Sequence, residues 1–354
     1  VDCTARNFAN LLGLCAGTFL AYTASDLAGF ATGWAITLLP LFFEGSSELR
    51  APRLAGLASV LLLVFAIFSD SSWAGFVCLT MAALLRKGVF PFHFWVPIAF
   101  EKTSPAWMNL FLNGHLAAVL IAKFGLRLFP EQSHEALGVI SFLALSTALY
   151  AAIAALGESS TRRVIALLSL SQASFILAGL ESRNAEGITG AIVHWMVVAI
   201  ATTGLTLVYR LIEARSPQAA NLKSFLGLAG RMPRLAVLFA VFGLALVGLP
   251  GTLGFVAEDL LFHGALESHP MLGLALPLAT AMNAVSILRV FARIFLGKAP
   301  STLPMLPDAY PMERWALSAC AILLVIGGIL PQIAIDLRQP AADAIAILLA
   351  AMSQ

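Results

Sequence analysis

Long apolar runs separated by short polar stretches dominate the chain. About 20 apolar residues suffice for a helix to cross a bilayer. Eleven such runs are read: 7–22, 25–43, 52–69, 73–100, 104–129, 135–156, 163–181, 187–212, 233–267, 270–297 and 311–330. Residues 341–352 are apolar but short, and read as a half-span or interfacial helix rather than a twelfth crossing. Backbone amides in lipid must be satisfied internally, so the runs predict helices and an all-α polytopic membrane protein. The first run begins almost at once, which fits a fragment lacking earlier helices.

Composition agrees. Of 354 residues 60% are hydrophobic and 11% charged, with a mean hydropathy of +0.90. Soluble domains carry about 25% charged residues. This excludes soluble, disordered and fibrous classes. A net charge of +2 is too small to indicate a polyanion, so no nucleic-acid partner is expected. Cys3, Cys15, Cys78 and Cys320 are scattered without metal-ligand spacing and read as small apolar residues.

Lys and Arg set the orientation. Thirteen of them, Arg6, Arg50, Arg53, Lys102, Arg162, Arg163, Arg210, Arg215, Lys223, Arg231, Arg234, Lys298 and Arg314, fall in one set of loops, and only Arg183 and Arg338 in the other. The first set is assigned to the cytoplasmic side.

Two runs are interrupted. Run 73–100 contains Arg86, Lys87, Pro91 and Pro97, and run 233–267 contains Pro250-Gly251 and then Gly254. Proline removes a backbone donor and clashes with the preceding turn, so both helices are predicted to break within the membrane. Each is fourth in a run of five, 7–129 and 135–297. Because five is odd, the second run starts on the opposite side. That predicts two inverted five-helix repeats, each with a broken fourth helix, followed by a C-terminal helix and short tail segment over 311–354.

Ionisable residues inside spans are costly and need a partner, water or a task. Arg86 and Lys87 precede Pro91, and Glu258 and Asp259 come after Pro250. His115, Lys123 and Arg127 are spaced to share one helix face. His194, Thr202, Thr206 and Arg210 form a second stripe, and Thr280, Asn283, Ser286, Arg289 and Arg293 a third. The functional reading is a chain of titratable groups and waters that carries protons, with Arg86 a fixed charge because arginine does not release its proton. Bland readings stand beside it. Arg127 and Arg293 can snorkel, Asp259 can pair locally, and His93 can sit near an interface. His134, His263 and His269 read as surface residues. No phosphate loop, paired-cysteine site, HExxH or dinucleotide fingerprint is present in the sequence, so no metal, cofactor or catalytic chemistry of its own is expected.

Three segments resemble a known family. Arg86 to Pro97, RKGVFPFHFWVP, followed by Glu101 and Ser104-Pro105, resembles the broken-helix signature of the antiporter-like subunits of respiratory complex I and of Mrp-type cation/proton antiporters. Thr161 to Gln172, TRRVIALLSLSQ, and Leu246 to Leu261, LVGLPGTLGFVAEDLL, resemble two further segments of that family. The resemblance implies a proton- or cation-conducting subunit of a multi-subunit energy-coupling complex, complex I-like or serving inorganic-carbon uptake. It would be non-catalytic, sit in a bacterial inner membrane among other subunits, and move protons or Na⁺. Carried over by position, the family's path residues fall on Arg86 with Lys87 beside it, His194 and Glu258. The candidate path also takes in His115, Lys123, Arg163, Thr202 and Asp259. The family's acidic residue on the second helix is replaced by Ala35, one histidine falls on Phe111 with His115 one turn later, another on Val198, and a lysine on Thr202. These losses resemble the divergent branch of DAB-type inorganic-carbon transporters. They also keep two alternatives open, a conduction-dead scaffold anchoring a partner and a stand-alone secondary transporter.

Overall fold

The computed structural model describes residues 5–69, 72–180, 182, 184–268, 270–299 and 306–351. Cys3, Arg183 and His269 lie outside them. The described residues are nearly all helical, and none forms a strand. In chain order the helices are α1 Ala5–Thr23, α2 Leu27–Ile36, α3 Leu39–Phe43, α4 Arg50–Phe68, α5 Trp73–Lys87, α6 Trp95–Lys102, α7 Pro105–Asn113, α8 Leu116–Val119, α9 Leu126–Leu128, α10 Pro130–Gly157, α11 Thr161–Leu180, α12 Ala185–Arg215, α13 Pro233–Leu246, α14 Leu253–Ser268, α15 Pro270–Gly273, α16 Ala275–Phe295, α17 Pro311–Ile329 and α18 Pro331–Ala351. Among the described residues, eight helical stretches are long and apolar enough to cross a membrane, and Leu27–Phe43 and Pro233–Leu246 are shorter apolar helices. This is an integral membrane protein.

The bundle is organised around α11. Every residue of α11 except Arg162 and Arg163 is buried. A helix enclosed all round belongs at the centre, and α10, α12, α6 and α16 surround it. At the other extreme α4 and α17 leave Leu61, Phe68, Trp315 and Ile329 exposed, as lipid-facing helices do.

Cations on the charge-rich side meet acids from neighbouring loops. Arg6 pairs with Glu44, Lys102 with Glu48, Arg162 and Arg210 with Glu213, and Arg215 with Glu313. Arg162 also donates to the Glu101 carbonyl. Loops far apart in sequence therefore share one face.

Both breaks have the same backbone cause, and it is not proline alone. α5 ends at Gly88 in the left-handed region, φ 72 and ψ 35. The Val89 amide donates to the Leu84 carbonyl at 3.0 Å and the Gly88 amide to Leu85 at 3.3 Å. α13 ends the same way at Gly248, φ 66, with Leu249 donating to Leu244 at 2.9 Å and Gly248 to Ala245 at 3.4 Å. Each is a Schellman cap, which needs a residue at positive φ, and the prolines lie just beyond it. The helices thus end at Lys87 and Leu246, each four residues before its proline, earlier than proline alone dictates.

Three further details differ from the sequence reading. Run 25–43 divides into α2 and α3 at the turn that carries Thr37. Run 104–129 is interrupted at Gly114 and His115, where His115 has φ 47, and then makes a π-helical turn over Leu120–Gly125. The wider turn rotates the remainder of the helix, so His115, Lys123 and Arg127 do not share a face. His115 is buried, Lys123 half-buried and Arg127 exposed. Finally, the apolar tail belongs to a longer helix, α18, which begins at Pro331 and packs against α12.

Candidate proton path

The Schellman cap places Arg86 and Lys87 in the last turn of α5, where unpaired carbonyls favour cations. Both are buried. Arg86 meets no carboxylate among the described residues. Its Nη2 donates to Thr37 Oγ1 at 2.7 Å and its Nη1 to the Trp34 carbonyl at 3.5 Å. The guanidinium lies 4.6 Å from the Trp34 ring centroid and 4.2 Å from that of Phe111. A desolvated cation–π contact contributes about 2 kcal/mol, so two aromatic faces and two acceptors offset much of the burial cost. The group is a held, permanent charge.

Lys87 points another way. Its Nζ lies 2.7 Å from His115 Nδ1. An ammonium only donates, so with Lys87 charged the imidazole accepts at Nδ1 and carries its own proton on Nε2. His115 reaches Lys87 because the chain turns through positive φ there. Non-glycine residues at such angles and π turns both concentrate at functional sites. Trp195 packs edge-on against the imidazole at 5.3 Å.

From this pair a polar file leads to the cation-rich face. Asn113 Nδ2 donates to Asn109 Oδ1 at 2.8 Å and to Thr202 Oγ1 at 2.7 Å. Asn109 Nδ2 donates in turn to Thr203 Oγ1 at 2.7 Å, and Thr206 sits 3.5 Å from Asn109 Oδ1. Thr203 lines a cavity of about 510 Å³ whose other walls include Arg6, Glu44, Arg210 and Glu313.

In the other direction the file runs through α12 and α11 to the second break. His194 is fully buried, with Nε2 3.1 Å from the Gln172 carbonyl. Lys87, His115 and His194 lie within electrostatic reach of one another. The Gln172 side chain and Thr280 face the Glu258 carboxyl. Glu258 Oε2 rests against Gly248, where a Cβ would stand 2.6 Å away. The glycine therefore caps α13 and also makes room for the acid. No salt bridge to Glu258 forms among the described residues. Glu258 and Thr280 line a cavity of about 300 Å³ with Asp259 and Phe262. Along the file, His115 Nε2, His194 Nδ1, both Gln172 amide atoms and Glu258 Oε1 have no hydrogen-bond partner among the described residues, and neither do Asn283 Oδ1 and Ser286 Oγ on α16.

The structure thus brings together Arg86, Lys87, His115, His194, Thr202 and Glu258. It does not bring in three others. Lys123 donates to the carbonyls of Tyr22 and Ala24 at the end of α1. Arg163 pairs with Glu158 at 3.0 Å on the cation-rich face. Asp259 reaches only the cavity at the end of the file, where it is exposed beside His263, Oδ1 to Nδ1 3.5 Å. Arg293, read as snorkelling, stacks on Phe225 at 4.3 Å. Sequence reasoning misses Thr37, Asn109 and Asn113, whose only signal is a polar side chain inside an apolar run. It also passes over Gln172 inside the TRRVIALLSLSQ segment.

The described residues thus form a helical membrane protein with two glycine-capped breaks and buried ionisable side chains between them. Residues 43–283 match the family described as NADH:quinone oxidoreductase/Mrp antiporter, TM, and the chain belongs to that family. Relatives include NADH-quinone oxidoreductase subunit N of Rhodococcus opacus, 30% identical over 76% of this chain and 50% of the relative. Subunit N 3 of Streptomyces griseus is 28% identical over 94% of this chain and 59% of its own length. The chain thus spans about half to three-fifths of these relatives. The fold is that of a chain in the Mrp complex of Dietzia sp., with a TM-score of 0.83 at 21% identity, covering 96% of this chain and 79% of that one. It also matches a chain of respiratory complex I from Thermus thermophilus, with a TM-score of 0.80 at 23% identity, covering 97% and 85%.

Proposed function

We propose that this chain is the proton-conducting membrane subunit of a larger energy-coupling complex in a bacterial cytoplasmic membrane. The observation that carries the proposal is the buried file joining two helix breaks and ending in a cavity at each end. Family membership and relatives named as NADH-quinone oxidoreductase subunits support a place beside partner subunits. We further assign residues 7–129 and 135–297 as the two inverted repeats, with 311–354 after them.

A proton enters from the cation-rich face through the cavity beside Thr203 and passes the Asn109, Asn113 and Thr202 side chains with water. The Lys87–His115 pair receives it. Arg86 supplies a fixed positive charge next to the pair, so a second proton is disfavoured until the first leaves. The proton then moves past His194 and Gln172 to Glu258, which becomes neutral on accepting it. Release occurs into the cavity at the second break.

Ala35 and Arg86 favour a second reading, in which the path is dead and the chain only anchors partners. One experiment separates them. The complex is purified with this chain, reconstituted in proteoliposomes, and proton uptake monitored with a pH-sensitive dye. Lys87→Leu removes the titratable group at a buried site. A lost relay step of about 1.4 kcal/mol or more lowers the rate about tenfold or more, whereas Arg86→Lys keeps most of it. An unchanged rate for Lys87→Leu in fully assembled complexes leaves the scaffold reading.

A further inference from the structure

On the face opposite the ion-paired one, a cavity of about 460 Å³ opens between α12 and α18. Its walls are mostly apolar, Val119, Ile176, Ile192 and Leu348 among them. Two cations also line it, Lys123 and Arg338, and among the described residues no acidic side chain does. Lys123 Nζ donates to the Tyr22 carbonyl at 2.9 Å and the Ala24 carbonyl at 2.6 Å. Arg338 Nε donates to Met196 Sδ at 3.0 Å. Carbonyls and a thioether orient a cation without neutralising it. Neither residue has a salt bridge among the described residues.

Two positive charges without a carboxylate partner among the described residues, at one apolar cavity, are unusual on this side. Membrane proteins place few Lys and Arg there, and this sequence obeys that bias. The charges converge from different parts of the chain, Lys123 from the π-helical turn and Arg338 from α18. Tyr22 and Trp195, with ring centroids 5.9 Å apart, form a wall of the cavity beside them. Amphipathic rings of this kind are favoured where acyl chains give way to headgroups.

We propose that this cavity binds one phospholipid with an anionic headgroup, the phosphate between Lys123 and Arg338 and an acyl chain along the apolar wall. A zwitterionic lipid brings no net charge to answer the two cations. The bound lipid completes the packing of α18 against α12 and so holds the C-terminal helix on the bundle. The cavity borders the file that ends at Glu258 through Trp195, which packs against His115, and its two cations are not members of that file.

The test uses the chain in its native complex, extracted from membranes containing phosphatidylglycerol and phosphatidylethanolamine and washed in mild detergent. Lipid mass spectrometry then counts the retained molecules. Phosphatidylglycerol is expected above its bulk share. A basic residue near an anionic surface is worth about 1 kcal/mol, so Lys123→Gln and Arg338→Gln each reduce the excess about fivefold, and together they remove it. Arg127→Gln, an exposed cation near the same end, leaves it unchanged. Ala344→Phe narrows the slot with both cations in place and also lowers retention. Equal phosphatidylglycerol in the assembled double variant overturns the proposal, as does an excess made only of phosphatidylethanolamine or of quinone. If the double variant does not assemble, unchanged retention in Ala344→Phe overturns it.

Discussion

Lys87 and His115 are 2.7 Å apart, Nζ to Nδ1, and neither has a carboxylate partner among the described residues. The contact joins the cap of one broken helix to the left-handed turn of the next. Resemblance places the first path residue on Arg86. Arg86 is held by Thr37 and two rings, and in the proposed path the exchangeable proton falls to Lys87 and His115.

The approach to that pair is held by one side chain. Asn113 donates to both Asn109 and Thr202. Asn113→Leu keeps the volume and removes both links, and is expected to slow proton uptake in proteoliposomes about tenfold, a barrier change of about 1.4 kcal/mol. Thr206→Val, which alters only a 3.5 Å contact, changes the rate little. Equal rates in the two variants would place the approach elsewhere.

Gly88 has φ 72, and a Cβ there would stand 2.5 Å from Val96 Cγ2. Gly88→Ala combines a left-handed alanine with an overpacked contact and is expected to cost about 2–5 kcal/mol. Thermal unfolding of the purified complex in detergent should show the loss. Gly157→Ala meets nothing within 4 Å and should leave the melt where it was.

Arg215 ties α12 to α17 by donating to both Glu313 oxygens, at 2.8 and 2.6 Å, while its guanidinium lies over Tyr310. The pair is partly buried, so Arg215→Gln is expected to cost about 1–3 kcal/mol, between the values for exposed and buried pairs. Glu313 lines the cavity beside Thr203 but Arg215 does not, so the tie is placed beside the entry rather than in the relay, and proton uptake per assembled complex should change far less than in Asn113→Leu. A transport defect at normal stability would contradict that placement.

Much of the architecture is legible in the sequence because apolar runs and charge bias are local quantities. The eleven runs, the two breaks and the cation-rich face all derive from them. The hidden features depend on backbone geometry or on contacts across helices. Proline marks both breaks, yet the helices stop earlier, at Gly88 and Gly248, because a positive-φ cap ends a helix before proline can. The π turn at Leu120–Gly125 leaves no trace in hydropathy, so regular helical spacing puts Lys123 on the face of His115. The start of α18 is obscured because Gln332, Asp336 and Arg338 dilute its apolar character. Thr37 and Asn113 do not stand out in the sequence, since their importance lies in Arg86 and Thr202, partners on other helices.

Proton uptake by complexes carrying Glu258→Gln tests the central claim most directly. Glutamine keeps the shape of the side chain against Gly248 and cannot accept and release the proton. The account predicts normal assembly with initial uptake reduced about tenfold or more, a barrier of about 1.4 kcal/mol or above, and partial recovery in Glu258→Asp. Uptake at the unaltered rate in fully assembled Glu258→Gln complexes would contradict it.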